Sequence, residues 1–216
     1  MLLRFFRIND PYRLLGLLII IILIGLPFII NPTGILLSEL KNMVLGEAIA
    51  DGKLMYVQII DDTPPLAGLL FGFVNVIFGR SMVAEHIVAL LIIFFQAGYF
   101  AVLLINNKAY AENTYLPALI FAILCFFSFD LLKFSPELLA STVMLFALNQ
   151  LFHEIEFKIQ RDEIILKLGV YLGLATFLVF SYWVFLLLCI FILITLTRAG
   201  FRKIALMIFG FFLPHA

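Results

Sequence analysis

The sequence predicts an all-α, polytopic helical membrane protein. Of its 216 residues, 64% are hydrophobic, the mean hydropathy is +1.17 and only 13% are charged. A soluble domain is about half apolar and a quarter charged, and it could not bury so much apolar surface. Long apolar runs recur along the chain and have the length of membrane-spanning helices. These observations exclude soluble enzymes, nucleic-acid binders and disordered proteins.

We predict about six membrane spans and part of a seventh within one transmembrane domain, residues 1–216. A span needs roughly 20 apolar residues, and fewer where helices are short or buried. Residues 164–196 are too long for one span, and Ser-Tyr-Trp at 181–183 divides them because Tyr and Trp favour the membrane interface. We expect the natural chain to continue past Ala216. The predicted spans are 14–30, 83–105, 115–129, 138–152, 165–180 and 183–197, and residues 204–216 begin a further helix.

Basic residues predict the orientation of the chain in the membrane. Cytoplasmic segments of membrane proteins are enriched in Lys and Arg. With the N-terminus in the cytoplasm, the inner side carries most of the basic residues and the outer side carries most of the acids. The basic residues on the outer side are then only Lys41, Lys53, Arg80 and Lys133.

Residues 31–82 form the long outer loop, which is too apolar to be a solvated linker. Residues 35–49 place apolar side chains near helical spacing with charged residues between them, which is typical of a helix in the membrane interface. Residues 66–78 are apolar but too short to span, and the preceding prolines fix an extended entry. We predict two juxtamembrane helices here. Either they form a lid whose acids are merely solvated, or a substrate enters beneath them from the lipid.

Several short segments of the outer loop and of the fourth span carry a resemblance. Exact matches are confined to these segments, whereas the order of spans matches over nearly the whole chain. Together they resemble the N-terminal half of the GT-C superfamily of membrane glycosyltransferases. The segments are Ser38-Glu39, residues 52–56 (Gly-Lys-Leu-Met-Tyr), 61–66 (Asp-Asp-Thr-Pro-Pro-Leu), 78–81 (Phe-Gly-Arg-Ser) and 135–137 (Ser-Pro-Glu).

The resemblance implies transfer of a sugar from a polyprenyl-phosphate donor at the outer face of the membrane. It implies that Glu39 acts as general base on the acceptor or as a metal ligand, with Glu137 as its partner, since both roles need an oxygen anion within reach. No cofactor is certain, and a divalent metal is the one that the resemblance suggests. Membrane lipid and a polyprenyl-phosphate sugar are the implied partners, and nucleic acid is not.

Four further residues of the outer loop are candidate substrate-binding residues. Asp61 and Asp62 are adjacent, so in an extended chain they point in opposite directions and cannot both face one ion. Tyr56 either contacts substrate or lies at the interface because it is amphipathic. Arg80 has the guanidinium fork that suits a lipid phosphate, although it could equally extend to the lipid headgroups, and Lys133 has the same two interpretations.

One departure from the GT-C pattern supports an alternative function. Ser38 stands where those enzymes place the first Asp, and the remaining Glu39 is longer by a methylene. A shift of about 1 Å can cost orders of magnitude in rate. The alternative is a catalytically inactive GT-C-like subunit or scaffold with a protein partner in the membrane. An enzyme should bring Glu39 and Glu137 toward one cavity, whereas a scaffold need not.

A transporter is a second alternative. The positions of the polar residues disfavour a proton- or ion-coupled pump, but they do not argue against a passive lipid carrier. Transporters bury ionisable residues near the middle of the membrane, whereas the acids here fall in loops or at span ends. Polar groups lie inside spans at five residues, where we expect hydrogen bonds between helices: Gln96, Ser141, Thr142, Asn149 and Gln150.

A second resemblance indicates the source of the protein. Residues 4–13 and 108–115 are similar to those of a family of uncharacterised bacterial inner-membrane proteins, whose members are longer than this chain. We therefore predict a multi-pass protein of the bacterial inner membrane with a cytoplasmic N-terminus.

Overall fold

A computed structural model describes residues 12–30, 37–110, 114–157 and 161–215. Some sequence-based predictions fall outside the described residues. They are the similarity over residues 4–11 and 111–113, the start of the first juxtamembrane helix at 35–36 and the end at Ala216. Within them the α-helices are α1 (Arg13–Ile30), α2 (Leu37–Ala50), α3 (Pro65–Phe78), α4 (Met82–Asn106), α5 (Leu116–Phe127), α6 (Pro136–Phe157), α7 (Asp162–Leu178), α8 (Trp183–Ile192) and α9 (Phe201–Phe212).

Short helical turns connect several of these helices. The described residues contain no strand, only a single bridge between Met55 and Ile59. The all-helical class is therefore confirmed. The short turns are the 3₁₀ helices Phe129–Leu132, Phe180–Tyr182 and Leu213–His215 and the π-helix Leu193–Thr197, which continues α8.

Four helical segments of the described chain are long and apolar enough to cross a membrane. They coincide with predicted spans 14–30, 83–105, 138–152 and 183–197, and the break predicted at 181–183 is the 3₁₀ turn before α8. The other two predicted spans are shorter helices: α5 has 12 residues, and α7 has 17 with charged residues in its first turns. The count of six therefore stays a prediction. The four segments are Arg13–Ile30, Met82–Asn106, Pro136–Ile155 and Phe180–Thr197.

Three apolar cores hold the helices together. The first joins α1, α4 and α5 around Ile93, and the second joins α6, α7, α8 and α9 around Leu168. The third packs α2 and α3 against α6 and the end of α7, around Phe71. The predicted outer-loop helices therefore exist as α2 and α3, and they are docked on the helix bundle at the N-terminal end of α6.

A buried glutamine joins the first part of the bundle to the second. Gln96 of α4 is 1% exposed, and its amide nitrogen lies 2.8 Å from the Leu138 carbonyl oxygen. The same nitrogen is 2.9 Å from the Ser141 hydroxyl and 2.7 Å from the Thr142 hydroxyl of α6. Hydrogen bonds between helices were predicted for these polar side chains, and the structure confirms them.

Glycines permit unusually close contact in two helix pairs. A Cβ added at Gly169 of α7 would lie 2.2 Å from the Met207 carbonyl oxygen of α9, and one at Gly173 would lie 2.3 Å from that of Phe211. In the α2–α3 pair, a Cβ at Gly46 would lie 2.8 Å from the Phe71 carbonyl oxygen. Small residues are the usual means by which membrane helices approach each other closely.

We expect Gly173→Ala to destabilise the protein by about 1–3 kcal/mol, because the new methyl group would overlap the backbone of α9. The matched control is Gly98→Ala in α4, where a Cβ meets only the Leu14 side chain at 3.8 Å. The control should be neutral or mildly stabilising, since Ala favours a helix over Gly. Thermal unfolding of both variants in detergent checks this. Equal unfolding temperatures for the two variants would show that α7 and α9 do not pack as described.

Candidate functional site

A polar cavity of about 340 Å³ lies at the N-terminal end of α6. Its walls are the first turns of α2, the residues just before α3, the segment that precedes α6 and the end of α7. The Ser135 hydroxyl begins α6 by accepting a hydrogen bond from the Leu138 amide at 3.2 Å. We call this space the polar cavity. Its charged lining residues are Glu39, Lys41, Asp62, Lys133 and Glu137.

The polar cavity brings together the two acids that were predicted to act as a pair. Glu39 reaches it from α2, and Glu137 reaches it from the first turn of α6, so both line one space although they are far apart in sequence. Glu137 is exposed there and forms no ion pair with any residue that the structure describes. This convergence is the arrangement that the sequence-based proposal requires, and it leaves the catalytic roles of both residues as predictions.

Glu39 is not an isolated carboxylate, because it forms an ion pair with Lys133. Their side chains are 14% and 11% exposed, respectively, so the pair is largely sheltered from water. Glu85, in the first turn of α4, interacts electrostatically with both charges. A carboxylate bonded to an ammonium group is held in place by that contact. The pair therefore couples two of the charged residues that line the polar cavity.

Asp61 and Asp62 contact one cation, which corrects the prediction that adjacent acids cannot do so. The Lys41 ammonium group lies 3.2 Å from Asp61 Oδ1 and also forms an ion pair with Asp62. The long, flexible lysine stem reaches both carboxylates from α2, although their environments differ. The Asp61 side chain is 10% exposed and that of Asp62 is 90% exposed, so only Asp62 faces water and lines the polar cavity.

Asp61 holds the turn that leads into α3. Its Oδ1 accepts hydrogen bonds from the Thr63 amide at 2.6 Å and the Thr63 hydroxyl at 2.5 Å. Burial raises the pKa of Asp61, but the bonds from Thr63 and the charge of Lys41 outweigh it and hold this pKa below its ordinary value. The hydrogen bond to Asp62, opposed by burial, raises the pKa of Lys41. This network fixes the wall of the polar cavity next to Thr63.

Tyr56 and Arg80, which were predicted to bind substrate, do not line the polar cavity. The Tyr56 hydroxyl donates a hydrogen bond to the Thr63 carbonyl oxygen at 2.5 Å, and burial followed by the charge of Asp61 raises its pKa. Arg80 follows α3 and lies 3.6 Å from Glu47 of α2, with both side chains about half exposed. Both residues brace the outer-loop segment as the structure describes it, and their roles in substrate binding stay predictions.

The described residues do not fit a resident divalent metal. A metal site needs several oxygen or nitrogen ligands directed at one point. In the part of the chain that the structure describes, no group of three or more His, Cys, Asp or Glu side chains could hold an ion. Glu39 and Asp62 each contact a lysine instead. The role of Glu39 as a metal ligand stays a prediction.

An apolar groove lies beside the polar cavity. Its volume is about 420 Å³, and it runs between α3, α4 and α6. Leu178, at the end of α7, lines both spaces, and Leu66 and Leu139 of the groove follow Pro64 and Glu137 of the cavity by two residues in sequence. A charged space next to an apolar one suits an amphiphile with a polar head and a hydrocarbon tail.

Lys133 was a candidate phosphate ligand from the sequence, whereas Lys41 was not, and the ion pairs of both lysines were not expected. Both were visible as outer basic residues, but nothing in the local pattern indicates that they contact Glu39 and Asp62.

No protein-family model, curated protein or solved structure matches this chain. Membership of the GT-C superfamily therefore stays a prediction based on the resemblance.

We expect Asp61→Asn to loosen the turn before α3, because the neutral amide loses the charge that binds Lys41 and Thr63. Hydrogen exchange of the Thr63 amide near neutral pH should become about tenfold faster, which corresponds to a loss of about 1.4 kcal/mol of protection. Asp51→Asn, at an exposed turn residue, is the matched control and should not change this rate.

Acid should remove the difference between the wild type and Asp61→Asn. The pKa of Asp61 in the folded protein lies below its ordinary value of about 3.9. The stabilisation from its carboxylate is therefore complete above that value and is lost as the pH falls through the lowered pKa. A rate ratio between wild type and variant that stays constant from pH 7 to the acid limit would contradict this account.

Proposed function

We propose that this protein is a GT-C-like membrane glycosyltransferase that binds the head of a polyprenyl-phosphate sugar in the polar cavity. The observation that carries the proposal is the convergence of Glu39, Lys133 and Glu137 on one space beside an apolar groove. The cavity would hold the sugar phosphate, and the groove would take the first part of the lipid tail. The four apolar helical segments supply the membrane context that such a lipid requires.

The proposal includes a topology finer than the four candidate spans. We infer that α5 and α7 also contribute to crossing the membrane, which would give the predicted six spans. The bias of basic residues then places the N-terminus in the cytoplasm and the polar cavity at the outer face of the bacterial inner membrane. A polyprenyl-phosphate donor would reach the cavity laterally from the lipid.

The proposed chemistry uses Glu137 as general base and Lys133 as the phosphate ligand. Glu137 is exposed in the polar cavity, so its carboxylate can take the proton of an acceptor hydroxyl. The acceptor oxygen then forms a bond to the anomeric carbon. The bond between that carbon and the phosphate oxygen breaks, and the lipid phosphate leaves with the electron pair. The Lys133 ammonium would stabilise the negative charge that develops on the leaving phosphate.

We expect Glu137→Gln to lower sugar transfer by about 10²-fold or more, because the amide cannot accept the acceptor's proton. The measurement is the loss of radiolabel from a polyprenyl-phosphate hexose in proteoliposomes that also contain an extract of bacterial membranes as the source of acceptor. Glu163→Gln is the matched control, since Glu163 pairs with Lys167 on the exposed surface of α7. It should behave like the wild type.

Two outcomes of this assay would contradict the proposal. Wild-type proteoliposomes that consume no more donor than empty liposomes would favour the alternative, a catalytically inactive membrane subunit with a protein partner. Equal turnover by wild type and Glu137→Gln would retain an enzyme but remove Glu137 from its chemistry.

A further inference from the structure

The two lysines of the polar cavity are neutralised by the protein's own carboxylates. Lys133 pairs with Glu39, and Lys41 pairs with Asp62. The Lys133 side chain is 11% exposed, whereas that of Lys41 is 45% exposed. Lys133 is therefore the more sheltered cation, where an ionic contact is screened least by water. Any anion that binds Lys133 must compete with Glu39.

The charge of a lipid phosphate changes during the proposed reaction. The sugar-linked donor is a phosphodiester with one negative charge. The phosphate that leaves is a monoester, which carries about −1.5 to −2 at neutral pH. The diester therefore competes with the Glu39 carboxylate for Lys133 at similar charge. The monoester has both more charge and more acceptor oxygens, and it should win that competition.

We propose that Lys133 exchanges Glu39 for the lipid phosphate as that phosphate gains its second charge. This inference rests on the proposed function and assigns a role to the Glu39–Lys133 pair. In the empty cavity Glu39 acts as the counter-ion of Lys133, so Glu39 is a positioning residue and not the base. During transfer the leaving phosphate takes the Lys133 ammonium, and no covalent bond to the protein forms or breaks in this exchange.

The surroundings of the pair favour release of Glu39 toward the cavity. Glu85 of α4 interacts electrostatically with both members of the pair. Once the Lys133 ammonium group has left Glu39 to bind a phosphate, the Glu39 and Glu85 carboxylates would repel each other. Glu39 lines the polar cavity and Glu85 does not, so the repulsion would move the Glu39 carboxylate into the cavity. When product leaves, Glu39 can return to Lys133.

The experiment measures the affinity of the full chain in nanodiscs for two simple probes. Dodecyl phosphate is the monoester probe, and dodecyl methyl phosphate is the diester probe. The wild type should bind the monoester more tightly than the diester. Glu39→Gln removes the competing charge, so it should bind the diester about tenfold more tightly than the wild type does. The difference between the affinities for the two probes should be smaller in this variant than in the wild type.

Three further variants complete the experiment. Lys133→Met should lose most of the affinity for both probes. Glu47→Gln is the matched control, because Glu47 also lies on α2 and pairs with a cation, Arg80, but does not line the cavity. Its affinities should equal those of the wild type. If Glu39→Gln does not fold, Glu39→Asp keeps the charge with a shorter reach, and it should bind the diester with intermediate affinity.

The outcomes separate the exchange from the proposed function. Unchanged diester affinity in the folded Glu39 variant, with Lys133→Met impaired, would overturn the exchange and leave the function standing. Full affinity in Lys133→Met would place the phosphate elsewhere and overturn the proposed function. Binding by neither wild type nor Glu39→Gln would overturn both. Binding by Glu39→Gln alone would overturn the exchange and leave the function standing, since the monoester would then fail to displace Glu39 from Lys133.

Discussion

The ion pair between Glu39 and Lys133 is the contact on which the proposed site depends. A largely buried charge is strongly destabilising unless a partner lies beside it, so neither residue can be moved without the other. The pair joins the first turn of α2 to the segment that precedes α6. It thereby connects two walls of the polar cavity that Glu137 also lines. The position of α2 relative to α6 and the charge available to a ligand in the polar cavity follow from the same contact.

Close helix packing provides the frame that keeps this pair in place. Gly46 of α2 lets the backbone of α3 approach, and the α2–α3 unit then packs through Phe71 against the end of the bundle. In a second helix pair, the glycines of α7 let the backbone of α9 approach closely. Backbones in direct contact leave little room for one helix to slide along the other. The two lysines of the polar cavity then differ in their exposure to water. The Lys133 side chain is sheltered, and the Lys41 side chain is open to water.

The sequence predicts the helices better than it predicts the contacts between them. Hydropathy identified the four apolar segments and the break before α8 because each depends on local composition. It overestimated the length of α5, whose helix ends at Phe127 and is only 12 residues long.

The convergence of Glu39 and Glu137 was expected from the resemblance and not from any pattern in the residues. The lysines that pair with Glu39 and Asp62 come from distant segments and leave no local signal. The error about Asp61 and Asp62 came from treating two neighbours without the lysine that contacts both. The Gly-x-x-x-Gly spacings at 68–72 and 169–173 were a usable signal for close helix contact.

A charge-swap experiment tests the Glu39–Lys133 contact directly, without any assumption about ligand or reaction. Glu39→Lys and Lys133→Glu are each made alone and then together, and thermal unfolding is followed in detergent. Each single reversal places two like charges in contact and should lower the unfolding temperature. The double variant should recover most of the loss, which corresponds to a coupling energy of about 1 kcal/mol or more. If the two losses simply add in the double variant, the residues are not in contact, and the account of the polar cavity is wrong.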